Sequence, residues 1–129
     1  MVMRVVRLGT PRSKDEGLRL GTVRRPPRGV PKERFASDDW YDLWLPLLAP
    51  SAELVKSALS AETDAQWALF VERYRAEMAE SAPVQAIALL AALSKTTNLA
   101  VGCYCENEAR CHRSELRRLL ATAGATIAG

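Results

Sequence analysis

Apolar positions recur along the chain in two rhythms, one suited to short strands and the other to helices. Val2 to Leu8 mixes Val, Met and Leu with Arg4 and Arg7, which predicts a strand ended by Gly9-Thr10-Pro11. Gly17 to Arg24 predicts a second strand, weakened internally by Gly21. Three prolines and a glycine between Pro26 and Pro31 then impose a stiff turn. In the segment Asp38 to Pro50, Trp40 and Trp44 stand one helical turn apart, so a short helix is expected to place both on the core.

Ser51 is suited to cap a helix over Ala52 to Ala61, with Glu53 in its first turn. Thr63-Asp64-Ala65-Gln66 has the form of a capping box. The helix it opens carries Trp67, Phe70, Val71, Tyr74 and Met78 as a core stripe, with Glu72, Arg73 and Glu77 turned outward. Pro83 opens a helix over Val84 to Leu93, whose alanines and leucines on nearly every side predict cover on both faces. Leu99 to Tyr104, an apolar run between helical segments, predicts a buried parallel strand. Helical spacing resumes from His112 to Ala123, with Gly124 as terminator. Strands separated by helices predict a small α/β domain, a short, mainly parallel sheet flanked by helices.

Length and composition fit this reading. The 129 residues, 48% hydrophobic and 26% charged, suit one globular domain over residues 1–129. Three cysteines cannot all pair, which favours a reducing, cytoplasmic setting over a secreted disulfide framework. No stretch approaches the roughly 20 apolar residues of a membrane span, and the first residues lack a signal peptide's apolar core, so neither export nor membrane insertion is expected. The net charge of +3 divides unevenly. Met1 to Arg34 carries ten basic and three acidic side chains, or +7, and Phe35 to Gly129 carries eight and twelve, or −4. Such a basic quarter suits an anionic partner, a small molecule or nucleic acid, and equally a solvated loop lying on the protein's own acidic surface.

All three cysteines and the single histidine fall in GCYCENEARCHR, Gly102 to Arg113. On a strand, Cys103 and Cys105 project from one side, and Cys111-His112-Arg113 opens the last helix, at the edge where open α/β sheets bind ligands. Several readings of this segment stand side by side. The helix N-terminus, with Arg113 and Arg110, can hold an anion. The same field, with His112 and Arg113, can make Cys111 a reactive thiolate, which makes Cys111 and His112 candidate catalytic residues. Cys103, Cys105, Cys111 and His112 can ligate zinc or iron, although the C-x₂-C spacing of recognisable zinc sites is missing and adjacent helical residues diverge by about 100°. A purely packing role for the cysteines also fits. If the strands are parallel, the segments leaving them bring Arg12, Arg24, Arg28, Lys32 and Arg113 to one crevice.

The ordered motifs from about Arg4 to Leu120 resemble the domain of unknown function family 488, which includes the YeaO-like group. EGLRLGTVRRPPRGVPKERF is similar to a family segment ending in Pro-Arg-Gly and a lysine, here Pro27, Arg28, Gly29 and Lys32. LAPSAEL resembles its Ala-Pro-Ser-x-Glu-Leu motif, and FVERYRAEM its Phe-x-x-Arg-Tyr-x-x-Glu-Leu helix. The Cys-His-Arg ending at Cys111 resembles one branch, with Cys103 as counterpart of that branch's upstream cysteine. Pro26 and Val23 depart from the Trp and Asp of many members, so no polar role passes to position 23. The resemblance implies a small α/β fold and an intracellular location, and supplies no activity.

These readings converge on a phosphate-bearing or other anionic ligand held by Arg24, Arg28, Lys32 and Arg113, with thiol chemistry at Cys111. The alternatives are a module that binds nucleic acid or an acidic protein, and a Cys/His domain holding zinc or iron.

Overall fold

The computed structural model describes residues 1–128, and for Ala109 the backbone alone. Four strands, β1 (Met3–Arg7), β2 (Leu18–Gly21), β3 (Leu43–Trp44) and β4 (Leu99–Cys103), form one sheet in the order β1-β4-β2-β3. Every pairing is parallel. The last strand in sequence therefore lies inside the sheet, and all five of its residues are buried. That is why it reads as an uninterrupted apolar run. The C-terminal tail covers the β1 edge, with Met3 N–H donating to Thr126 O (2.7 Å) and Ala128 N–H to Met3 O (2.9 Å).

The four helices are α1 (Ala52–Ser60), α2 (Asp64–Met78), α3 (Ser81–Leu93) and α4 (His112–Thr122). Local chemistry starts the first two as expected. Ser51 accepts from Leu54 N–H, and Thr63 and Gln66 complete a capping box with side-chain bonds of 3.1 Å in both directions. Alternate strand residues Met3, Leu20, Leu99 and Val101 pack with Leu54, Phe70, Tyr74, Met78, Ile87, Leu90, Leu116 and Leu120 into the main core. By strand alternation Cys103 shares that side of β4, which brings its thiol to the start of α4. No single helix is long and apolar enough to cross a membrane.

Two expectations are corrected. The segment after Asp38 is not a helix. Asp39 takes a positive φ of 64°, which interrupts helical backbone, and the chain then pairs with β2 through Asp42 N–H to Arg19 O (2.8 Å) and Leu45 N–H to Gly21 O (2.8 Å). Tyr41 is the buried aromatic there, its ring against Gly21, whereas Trp44 stays 41% exposed. Nor is α3 covered on both faces. It begins at Ser81, so Pro83 falls within its first turn, and it buries Ile87, Leu90 and Ala91 while leaving Val84, Leu89 and Leu93 exposed.

A candidate site at the carboxyl edge of the sheet

The chain leaves β1, β2 and β4 at the same edge, and these three exits form one side of a cavity of about 950 Å³. Leu8 to Thr10, Val23 to Arg28 and Cys103 to Cys105 supply it, together with Arg110, Cys111 and His112 before and at the start of α4. Val55, Lys56 and Leu59 of α1 and Trp67 and Phe70 of α2 form the opposite wall. Such a crevice at the carboxyl ends of parallel strands is where α/β sheets place ligands.

Three donors meet at its floor. The Cys103 Sγ, the Cys111 Sγ and a His112 ring nitrogen all lie within 4.8 Å of one another, and all three residues are buried. The two sulfurs are 2.6 Å apart, and Cys111 Sγ is 3.7 Å from His112 Nδ1. Adjacent residues can converge in this way because Cys111 is the N-cap, with extended backbone (φ −138°, ψ 151°), and only His112 is helical. The 100° divergence of neighbouring helical residues therefore does not separate them. His112 Nε2 lies 2.7 Å from Thr22 O. A carbonyl only accepts, so Nε2 carries the proton and Nδ1 faces the thiols with its lone pair. Burial, the largest influence on the ring, holds His112 below its ordinary pKa and so neutral.

Cys105 is exposed where the others are buried, and its thiol lies outside that cluster while lining the same cleft. The neighbouring thiols of Cys103 and Cys111, reinforced by the charge of Arg113, pull the Cys105 thiol far below the usual thiol range. The Cys103 thiol is pushed upward by the neighbouring Cys105 and Cys111 thiols and by burial. For Cys111 the bond from Cys103 pulls down, while Cys105 and burial push up by more, to about 11.

The basic residues divide into three groups. Arg25 and Arg28 line the cleft, are exposed, and have no side-chain partner among the described residues. Arg24 also lines it, but its guanidinium is committed to the carbonyls of Pro46, Ala49 and Pro50 at 3.0–3.1 Å, tying the end of β2 to the approach to α1. Arg12, Lys32 and Arg113 do not line the cleft. Arg12 is drawn away by Asp39 and Asp42. Lys32 lies in an exposed 3₁₀ turn, Lys32–Arg34. Arg113 is only 4% exposed and turns beneath the loop, donating from one terminal nitrogen to Cys105 O (2.8 Å), while its buried Nε has no partner among the described residues.

Several lining residues escape sequence reasoning. Arg7 closes β1 and pairs with Glu106. Lys56 sits on α1, on a face that no motif marks. Trp67, assigned to the core by its helical spacing, is half-buried, stacks on Phe70 at 4.7 Å and carries the Arg110 guanidinium 5.6 Å from its ring centroid. Tyr104 meets Trp40 edge-on at 5.9 Å and donates from its hydroxyl to Arg25 O. Trp67 is one case where the signal was present, since a tryptophan on the first turn of a helix lies near that helix's open end.

No curated protein and no solved structure matches the chain. A family model does, over residues 3–124, and it is described as the active DUF488-N3 subclade. The match spans β1 through α4 and so takes in the whole cleft, including the Cys-His-Arg turn at its floor. The chain belongs to the DUF488 family, within its active DUF488-N3 subclade.

Proposed function

We propose that the cleft binds a phosphate-bearing organic molecule with a flat ring system. The observation that carries this reading is the pairing of uncommitted Arg25 and Arg28 at the rim with an aromatic wall below them. An exposed guanidinium with no carboxylate partner is free to make bidentate contacts with phosphate. Trp67, backed by Phe70, offers an indole for a ring to stack on. About 950 Å³ is ample for a nucleotide-sized ligand. Cys111 and His112 lie at the floor of the same cleft, and the description of the subclade as active favours chemistry in the cleft over passive binding.

Thermal-shift measurements across nucleotides and sugar phosphates test the reading. The expected result is stabilisation by at least one nucleotide, lost in the Arg25→Ala/Arg28→Ala double variant and weakened in Trp67→Leu. No stabilisation by any member of the panel, or undiminished stabilisation in the double variant, contradicts it. Tight binding to a single strand whose affinity falls steeply with salt, with no response to mononucleotides, would instead identify the cleft as a nucleic-acid groove.

A further inference from the structure

The arrangement beneath the cleft goes beyond anion binding. Thiolates and a neutral imidazole are the donors that zinc prefers, and structural zinc sites take four of them. Three such donor atoms already lie within 4.8 Å of one another, and Cys105, two residues beyond Cys103, lines the same cleft. His112 is oriented as metal-ligating histidines are, with its far nitrogen fixed on Thr22 O and the near one facing the thiols.

A second observation comes from Arg113. It is nine-tenths buried with no carboxylate beside it among the described residues, and its Nε is unpartnered. The Glu108 carboxylate, whose charge reaches Arg113, is held by two Arg117 nitrogens at 2.9 Å. A buried guanidinium needs a counter-charge. Three thiolates and one Zn²⁺ carry a net charge of −1, which supplies it.

We propose that Cys103, Cys105, Cys111 and His112 Nδ1 hold one zinc ion at the floor of the cleft. Each Zn–S bond replaces an S–H bond, so loading an all-thiol site releases three protons to solvent, or two if Cys105 is already a thiolate, with no oxidant or reductant involved. Two sulfurs on one tetrahedral zinc, each bonded at about 2.3 Å, stand about 3.7 Å apart. At 2.6 Å, Cys103 and Cys111 are closer than that, so zinc entry parts them by about 1 Å. Cys105 is the exposed ligand of the four, and the other three are buried.

The test is native mass spectrometry and elemental analysis of the full chain, produced in zinc-supplemented medium and purified without chelator. A thiol titration before and after chelator accompanies them. One zinc per chain, thiols protected until chelator is added and three thiols reactive afterwards are the expected results. Cys111→Ser and His112→Gln should lose the metal. Should either fail to fold, Cys105→Ser alters an exposed position and remains informative. In that variant the thiolate-to-metal band of the cobalt-substituted protein should fall by about one third, from three sulfurs to two. Arg113→Met should weaken zinc retention about 10–100-fold, as loss of an outer-shell partner does. Zinc-free protein with all thiols reactive overturns the proposal. So does a chain with one reactive thiol that rises to three only after reduction, which would mark Cys103 and Cys111 as a disulfide pair. A cobalt band unchanged in Cys105→Ser removes that residue from the site. These outcomes do not depend on which molecule the cleft accepts.

Discussion

Two arginines are buried on opposite sides of the sheet's central strands, and they are treated very differently. Arg19 on β2 is fully buried, and every contact its guanidinium makes is answered. Nε and one terminal nitrogen grip the Glu16 carboxylate at 2.7 and 2.9 Å, and the other terminal nitrogen donates to Thr10 O and Asp39 O. Arg113 on α4 is nearly as buried, yet it has one carbonyl, no carboxylate among the described residues, and an idle Nε. Burying a charge is costly unless it is paired and bonded. Arg19 meets that requirement within the chain, so its role is to lock the loops at residues 10, 16 and 39 to the sheet. Arg113 does not meet it alone, and it lies against the only cluster of thiols in the molecule. An incomplete balance of charge next to metal-ligand chemistry is what separates a site from a strut.

The largest effect that could break this comparison is at Glu16. Glu16→Gln leaves Arg19 charged and uncompensated, and should cost about 3–5 kcal/mol by urea unfolding at neutral pH. A loss under about 1 kcal/mol would show that Arg19 is no better satisfied than Arg113. The pH dependence carries the same information. Burial on its own would raise the Glu16 pKa, but the bonds from Arg19 and from Ser13 N–H hold it below its ordinary value. A lowered folded-state pKa gives stability that is present above the unfolded value and lost as pH falls through the folded one. Wild-type stability should therefore decline below about pH 4.3, and Glu16→Gln should decline less over that window.

Next in size is metal removal. With free zinc at about a hundredfold excess over Kd, chelation should lower the unfolding free energy by about 3 kcal/mol, read as a fall in Tm. Unchanged Tm would leave Arg113 without its counter-charge. Smaller again is Arg113→Met in zinc-free protein. Replacing a poorly paired buried charge with an apolar side chain of similar length should change stability by no more than about 1 kcal/mol, in contrast to the large loss at Glu16. A loss of several kcal/mol would mean that Arg113 is as well satisfied as Arg19. Smallest of all, Arg28→Ala should alter stability by less than about 0.5 kcal/mol, since the side chain is exposed and unpaired, while reducing the nucleotide response of the cleft.

What could be read from the sequence is what local chemistry decides. The caps at Ser51 and Thr63, the stripe from Phe70 to Met78 and the all-apolar central strand are each written within a few residues, and the parallel α/β fold follows from them. The chain between Trp40 and Trp44 is not legible locally because its conformation depends on a partner about twenty residues away, β2, with Arg19 and Asp42 exchanging bonds across the gap. The cysteines that cluster beside the lone histidine in sequence also cluster in space, with Cys103, Cys111 and His112 meeting at the floor of the cleft. The divergence of adjacent helical residues does not apply here, because the helix begins at His112 and Cys111 stands before it with extended backbone. The arginines were the least legible. Which of them face a crevice depends on which carboxylates and carbonyls intercept them, and Asp39, Asp42 and Pro50 are all distant in sequence from the arginines they hold.

The most direct measurement is zinc K-edge X-ray absorption on the chelator-free protein. The charge left open at Arg113 and the donors gathered beside it predict three sulfurs at about 2.3 Å and one nitrogen at about 2.0–2.1 Å. A first shell of oxygen and nitrogen alone, or no zinc at the edge, would contradict the account.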